Sequence, residues 1–438
     1  MKRYYDAVLD RWAISKGRKP LILRGARQVG KTYLVRAFAE RHFLGKFVWI
    51  DFEKHPQFQN LFDRDLDPKR IVNELEIRLG VMIVDQETLV FFDEIQLCPR
   101  AITALRYFYE EMPHLHVIAA GSLLEFALKD ISIPVGRVRY LEIEPLTFLE
   151  FLEALGKEKM AQLVAAAPQV LSEGLHQTIM DHLKTYFFVG GMPAAVLAFS
   201  RSGLLREAFE VHVELVKAYR QDYLKYAPKV NGRCLDQVLT SLARSGVRPV
   251  KYSSLSQEFS GPTIKNAVFA LEKARLIRCI ESVKLPGIPL GMSVNSACFK
   301  PLIVDIGLSA HLCGGAAVLE YEKGNVMDMF RGSLAEQFVG QALCSTQQQE
   351  DGVYFWERQA KNSTAEVDFL CVLEGKIVPI EVKNKAIGRL RSLEVYLKEV
   401  PQTSVAFVFS EKPYLGVTEN RVKFYPLYAI YSLTRPGA

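Results

Sequence analysis

No stretch of this sequence approaches ~20 uninterrupted apolar residues, the length that crosses a bilayer as a helix, so no membrane-spanning helix is expected. The opening residues, MKRYYDAVLDRW, begin basic but lack the apolar segment and small-residue cleavage site of a signal peptide, and none is expected. The seven cysteines (Cys98, Cys234, Cys279, Cys298, Cys313, Cys344 and Cys371) contain no CxxC pair, so they suggest neither a zinc knuckle nor a disulfide framework. Isolated cysteines behave as small buried hydrophobes in a reducing compartment, and a cytoplasmic location is expected. What the chain does have is an ordinary globular profile: 49% hydrophobic and 24% charged residues over 438 positions. That length suggests two to four domains, with apolar material for more than one core.

The net charge of +6 is unevenly spread. Residues 241–300 hold nine Lys/Arg (Arg244, Arg248, Lys251, Lys265, Lys273, Arg275, Arg278, Lys284 and Lys300) against three acids (Glu258, Glu272 and Glu281), so this segment alone carries +6. Such a segment is either a polyanion-binding face, DNA being the expected partner, or a solvated basic surface.

The first third reads as nucleotide chemistry. Leu21 to Leu23 form a short buried-strand pattern, GARQVGKT follows, and Leu34, Val35, Phe38 and Ala39 then recur at helical spacing. The order strand, GxxxxGKT, helix is what phosphate binding requires. The loop Gly25, Ala26, Arg27, Gln28, Val29, Gly30, Lys31 and Thr32 curls backbone N–H groups around phosphate oxygens, at the positive end of the following helix. Lys31 would reach the β- and γ-phosphates, and the Thr32 hydroxyl would ligate Mg²⁺. A second apolar run, Leu89 to Phe92, ends in Asp93 and Glu94. Asp93 would hold the Mg²⁺, and Glu94 would orient and polarise the attacking water. A strand ending at Asp51 lies between these two in sequence and is assigned no chemistry. A further strand, HLHVIAAGS, ends in Gly121–Ser122, beyond the carboxyl end of the sheet, where Ser122 either senses the γ-phosphate or caps the next helix. Guanine specificity has no support, since no NKxD motif is present and Asn384–Lys385 lacks the aspartate. ATP is the expected nucleotide.

The run of LILRGARQVGKT, LVFFDEIQ, VIAAGSLLE and PVGRVRYLEIEPLTFLEFL resembles a family of prokaryotic AAA-type ATPases with a restriction-endonuclease-like domain at the C-terminus. The resemblance implies a polar sensor at Ser122 and matches the family's Gly–Arg pair with Gly136–Arg137. It implies that Arg137 contacts the γ-phosphate in its own or a neighbouring subunit, which leaves a homo-oligomer open.

Residues 145–230 are mainly helical in pattern, interrupted by Gly190-Gly191-Met192-Pro193, a tight-turn signal. In the resembled family this segment closes the ATPase module. Arg220 and Asp222, which match its Arg–Asp turn, are read as structural. From 232 to 285, CLDQVLTSLARSG, SSLSQEFSG and TIKNAVFALEKARLI predict three helices, with Ser253 or Ser254 and Thr263 as N-caps, followed by the strand RCIESVKL. Three short helices and a β-ribbon form a winged helix, which serves either to place its third helix in a DNA major groove or as a rigid spacer or protein dock. Lys265, Lys273, Arg275 and Arg278 lie on or just after that third helix.

In the last third, FRGSLAEQFVGQALCS predicts an amphipathic helix with Leu334, Phe338, Val339 and Leu343 on its apolar side and Glu336 near its start. The strand VYFWERQ follows. Asp368 then sits in one strand and Glu381 and Lys383 in the next, with Glu381 and Lys383 on the same side. Leu390, Leu393, Tyr396 and Leu397 suit a packed helix, and SVAFVFS reads as a buried strand. Two carboxylates plus a lysine on adjacent strands can bind a divalent metal and hold an attacking water, or can be a solvent-facing cross-strand pair. The pattern resembles the PD-(D/E)xK nuclease superfamily, with Asp368 as first acid and metal ligand, Glu381 as second metal ligand and, with Lys383, the ExK pair. Glu336 matches the acid on the preceding helix. Glu366-Val367 stands where the superfamily places proline before Asp368.

The expected fold is α/β: an AAA-like P-loop parallel sheet (1–150), a helical segment completing it (151–230), a winged-helix-like domain (231–299) and an α/β restriction-endonuclease-like domain (300–438). The expected activity is ATP hydrolysis coupled to a nuclease-like domain acting on DNA. The alternatives are a signalling or scaffolding ATPase whose C-terminal domain binds without cutting, and a slow nucleotide switch.

Overall fold

Short apolar runs alternating with amphipathic helices build a parallel sheet in the first third of this computed structural model. It describes residues 1–122, 124–127, 136–226, 230–284, 286–314, 327–346, 352–358, 365–383, 390–416 and 418–433. They fall into two compact units. The smaller comprises Lys2–Glu144 with Lys273–Arg275, and the larger Met1, Pro145–Glu272 and Leu276–Ala438.

The smaller unit runs α1 (Tyr5–Ala13), β1 (Leu21–Arg24), α2 (Lys31–His42), β2 (Phe47–Asp51), α3 (Pro68–Leu79), β3 (Leu89–Asp93), α4 (Pro99–Glu111), β4 (His116–Ala120), α5 (Leu124–Ala127) and β5 (Arg139–Glu142). The strand order is β2-β3-β4-β1-β5, and every pairing is parallel. The sequence explains the ranking of the strands. β3 and β4 are apolar except for Asp93 and His116 and are buried at every residue, as interior parallel strands are, whereas β2 exposes Trp49 and lies at the edge. Arg36 stands over that indole, 5.3 Å from the ring centroid. Phe52, Phe62 and Phe108 surround Phe92, all fully buried or nearly so. Truncating such a phenylalanine to alanine costs about 3–5 kcal/mol. This core fixes the carboxyl ends of β1, β3 and β4, after which the phosphate loop, Glu94 and Ser122 follow in the chain.

The larger unit begins with α6 (Phe148–Ala154), α7 (Glu158–Ala165), α8 (Glu173–Val189), α9 (Pro193–Ser202), α10 (Leu205–Tyr226), α11 (Gly232–Ser245) and α12 (Gly261–Lys273). A mixed sheet follows, made of β6 (Ile277–Val283), β7 (Val294–Ile303), β8 (Tyr354–Glu357), β9 (Glu366–Leu373), β10 (Lys376–Val382), β11 (Ala406–Ser410), β12 (Thr418–Glu419) and β13 (Val422–Pro426), in the order β12-β13-β11-β10-β9-β8-β6-β7. The helices among these strands are α13 (Ile306–Cys313), α14 (Met327–Thr346), α15 (Arg391–Glu399) and α16 (Ile430–Leu433). Trp356 of β8 meets Tyr396 of α15 edge-on at 5.2 Å, at the centre of one core.

Four expectations for this region change. SSLSQEFSG is not a helix: it forms a single 3₁₀ turn at Tyr252–Ser254 and then runs without helix to Ser260. Its serines spend their hydroxyls locally, with Ser254 donating to Lys251 O and Ser256 accepting from Glu258 N, the competition that keeps serine out of helix interiors. α12 consequently starts at Gly261, and Thr263 lies inside its first turn rather than at the N-cap. The strand expected as a wing, β6, pairs antiparallel with β7 and parallel with β8, so the ribbon belongs to the same sheet as the C-terminal strands. Glu336 sits midway along the twenty-residue α14 rather than near its start.

The Gly190–Gly191 turn has a specific cause. Gly190 has φ of +68°, and a Cβ there would lie 2.1 Å from Asp305 Oδ1. Asp305 caps α13 through Leu308 N and also accepts from Gly191 N at 2.6 Å. The double glycine lets a buried carboxylate tie the α8–α9 turn to the start of α13.

Candidate functional site

The phosphate loop lies between β1 and α2 in strained backbone. Gly25, Gln28 and Gly30 all have positive φ, and Gln28 adopts it despite its side chain. At Gly25 a Cβ would fall 2.2 Å from the carbonyl oxygen of Ile143 on the neighbouring chain segment, so only glycine fits. Ala26 and Val29 are buried, Arg27 is half-buried and Gln28 exposed. Arg3 straps the loop from below: it donates to Val29 O at 3.0 Å and Glu144 O at 2.7 Å. The sequence offers no signal for this, because Arg3 lies before α1 with no motif around it.

Lys31 turns its ammonium back over the loop, donating to Gly25 O at 3.0 Å and Ala26 O at 2.8 Å. Burial pulls its pKa down to about 8, against the opposing pull of Glu94 and Asp93. Thr32 Oγ1 donates to Asp93 Oδ2 at 2.8 Å, so the two residues expected at the magnesium already meet, 61 positions apart in sequence. Burial pushes Asp93 up to about 6, with the Thr32 hydroxyl acting in the other direction. Glu94 has φ of +48° and accepts from the Gln96 side-chain amide, a partner the sequence reading passed over in DEIQ. Ser122 is buried, and its Oγ has no partner among the described residues. An unpartnered hydroxyl of this kind and a hydroxyl–carboxylate pair beside a buried lysine fit an incoming magnesium nucleotide.

Arg137 stands apart from this group in its bonding. It is exposed and donates to Glu110 of α4 at 2.9 Å, a bond that raises its pKa above the ordinary value. A second charge cluster in the same unit was not foreseen. Arg24 meets Glu142 at 2.9 Å and Glu125 at 3.8 Å, while Arg275 meets Glu125 at 2.8 Å and Glu142 at 3.0 Å. Burial works against the charge on Arg275, yet Glu125 and Glu142 raise its pKa above the ordinary value. The guanidinium expected at a DNA groove is thus engaged by carboxylates. Arg278, on β6, donates to Cys344 O. Lys265 remains exposed on α12.

In the larger unit, β9 and β10 are antiparallel and pair as far as Phe369 and Ile380, the chain neighbours of Asp368 and Glu381. Val382 N donates to Asp368 Oδ2 at 2.8 Å, and Lys383 Nζ donates to Glu381 Oε1 at 2.5 Å, on the side expected. Glu381 is 5% exposed, and its Oε2 has no partner among the described residues. Burial, then the Asp368 charge, pushes both Glu336 and Glu381 up. The residue that sequence reading missed is Lys300 of β7. Its fully buried Nζ lies 2.5 Å from Glu366 Oε1 and 3.1 Å from Asp368 Oδ1, between the rings of Phe355 and Phe369. Burial works against its charge, yet the acids around it raise its pKa above the ordinary value. Lys300 had been counted only as one of nine basic residues, because a lysine 68 positions from Asp368 carries no local motif.

A divalent metal does not fit this cluster as it stands. Among the described residues no group of three or more His, Cys, Asp or Glu is placed to hold a metal. Both Asp368 oxygens are engaged, one by Lys300 and the other by the Val382 N–H. Asn384–Lys385 lies outside the described residues. No described helix is long and apolar enough to cross a membrane.

Residues 17–152 match the AAA domain family, residues 180–318 a domain of unknown function (DUF8612), and residues 331–429 another (DUF4143). An uncharacterised protein of Methanocaldococcus jannaschii is 31% identical over 133 residues, which span 30% of this chain and 28% of that relative's length. A Walker-type ATPase of Pyrococcus abyssi aligns over 70% of this chain and 94% of its own at 18% identity, with a TM-score of 0.43. The RuvB Holliday junction branch migration motor of Thermotoga maritima aligns over 65% and 87% at 14% identity, with a TM-score of 0.30. The last two likenesses are loose, and the assignment rests on the family match together with the loop and the parallel sheet. Residues 17–152 form an AAA-type ATPase domain of P-loop fold.

Proposed function

We propose that the protein binds and hydrolyses ATP at Gly25–Thr32 and couples this to a nuclease-like C-terminal domain acting on DNA. The observation that carries the first part is the meeting of Thr32 with Asp93 beside the buried Lys31. Magnesium ATP, when bound, supplies the reactive phosphoanhydride and the cation that screens it. The loop amides from Gly25 to Thr32 would cradle the phosphates, and Lys31 would exchange carbonyl partners for phosphate oxygens. Thr32 and Asp93 would hold the Mg²⁺, while Glu94, positioned by Gln96, would polarise the attacking water. Ser122 would report the γ-phosphate through its unpartnered hydroxyl. Arg137 would act there only after leaving Glu110, in its own subunit or in a neighbour of a homo-oligomer.

For the second part, the support is the placement of Asp368 and Glu381 on adjacent strands with Lys383 beside Glu381. The domain division carried with this reading is 1–150, 151–230, 231–299 and 300–438, in a cytoplasmic protein. DNA would meet residues 241–300, with Lys265 among the contacts, and the C-terminal domain. A second reading, binding without cleavage, draws on Lys300, which already neutralises Asp368. ATP hydrolysis by wild type and Lys31→Ala tests the first part. Incubation of plasmid and linear DNA with Mg²⁺ or Mn²⁺, alongside Asp368→Ala and Lys383→Ala, tests the second. Cleavage lost in both variants upholds the nuclease reading, and no cleavage by wild type favours binding alone.

A further inference from the structure

The carboxylates of the larger unit already have a cation, and it comes from the chain itself. Lys300 is fully buried on β7, and its three N–H donors face the carboxylates of Glu366 and Asp368 and the carbonyl oxygen of Asp368. The Asp368 oxygen it takes is the one left over after the Val382 N–H has bound the other. Across the strand pair, Glu381 Oε2 is buried without a partner, so the cluster keeps one vacant acceptor that a metal would use. A buried ammonium 3.1 Å from Asp368 Oδ1 competes with a divalent cation for that carboxylate, because two positive charges so close repel strongly where water is excluded.

We propose that Lys300 is a resident cation occupying the place a divalent metal would need, so that the cluster of Asp368 and Glu381 takes up metal only when the Lys300 ammonium is removed or displaced. This rests on the nuclease-like reading of the sheet and deepens it. Lys300 acts as a positioning residue that fixes Glu366 and Asp368 and sets the metal requirement of the site.

The test is thermal unfolding of the nucleotide-free full chain with and without Mn²⁺, for wild type, Asp368→Asn, Lys300→Ala and the Lys300→Ala, Asp368→Asn double variant. Any Mn²⁺ held near Thr32 and Asp93 is common to all four and cancels in the comparison. The proposal expects Mn²⁺ to raise the midpoint of Lys300→Ala by about 3 °C or more, with that extra rise lost in the double variant and absent from wild type. A folded Lys300→Ala that gains nothing from Mn²⁺ overturns it. Should Lys300→Ala not fold, the wild-type arm decides alone: a Mn²⁺ shift that Asp368→Asn abolishes overturns the proposal, and equal responses uphold it. The nuclease-like reading fails separately, if neither wild type nor any folded variant binds or cuts DNA.

Discussion

Lys31 and Lys300 are both buried lysines beside carboxylates, yet they face different partners. Lys31 donates to two backbone carbonyls, and Asp93 is left to the Thr32 hydroxyl. Lys300 donates to carboxylates directly. Desolvation opposes both charges, but it wins at Lys31, whose pKa falls to about 8, and loses at Lys300, whose pKa is held above the ordinary value. A cation resting on neutral acceptors is underpaired and gains by meeting an anion such as a triphosphate. A cation resting on two acids is already neutralised, and removing it exposes the acids to each other. The first arrangement is suited to a site that fills and empties, the second to one that stays closed.

The comparison can be broken at its stronger side first. Lys300→Ala leaves Glu366 and Asp368 buried without their cation and should destabilise the larger unit by about 3–5 kcal/mol, read from the denaturant midpoint. A loss no larger than that of the half-exposed Lys383→Ala would remove the distinction. Next, Glu94→Gln should lower ATP turnover roughly 10²-fold or more while nucleotide affinity is retained, since only the water-polarising carboxylate is lost. Equal loss of both would mean that Glu94 shapes the pocket instead. Gly190→Ala should cost about 1–3 kcal/mol through its collision with Asp305, touching neither lysine. It therefore separates damage to the larger fold from loss of charge, and it should leave the turnover per folded molecule unchanged.

The last effect is one of pH. The folded pKa of Lys31, about 8, lies below its ordinary 10.5, so the folded chain without nucleotide binds fewer protons at this group than the unfolded chain. Its contribution to stability should accordingly rise as pH climbs from about 8 towards 10.5. Nucleotide prefers the ammonium, so affinity should fall over the same window by up to about tenfold per pH unit. Affinity that stays flat across this range in a titration would show that Lys31 does not meet the phosphates.

Sequence made the smaller unit legible because its chemistry is local. The loop from Gly25 to Thr32, its strand and its helix are contiguous, and Asp93 ends an apolar run that could only be an interior strand. The strands carrying Asp368 and Glu381 were legible for the same reason. What was missed acts across distance: Arg3 on Val29, Asp305 on Gly191 and Lys300 on Asp368. Each is a polar side chain whose role exists only once separate elements have packed. The SSLSQEFSG segment failed differently, since its apolar spacing was outweighed by serine hydroxyls bonding to their own backbone.

Steady-state ATP hydrolysis by wild type and Lys31→Ala, on chains shown to be equally folded, tests the central claim most directly. Turnover in wild type that falls roughly 10²- to 10³-fold in the variant is the predicted result, because the charge that stabilises the transferring phosphoryl group is gone. Equal turnover in the two proteins would contradict the account.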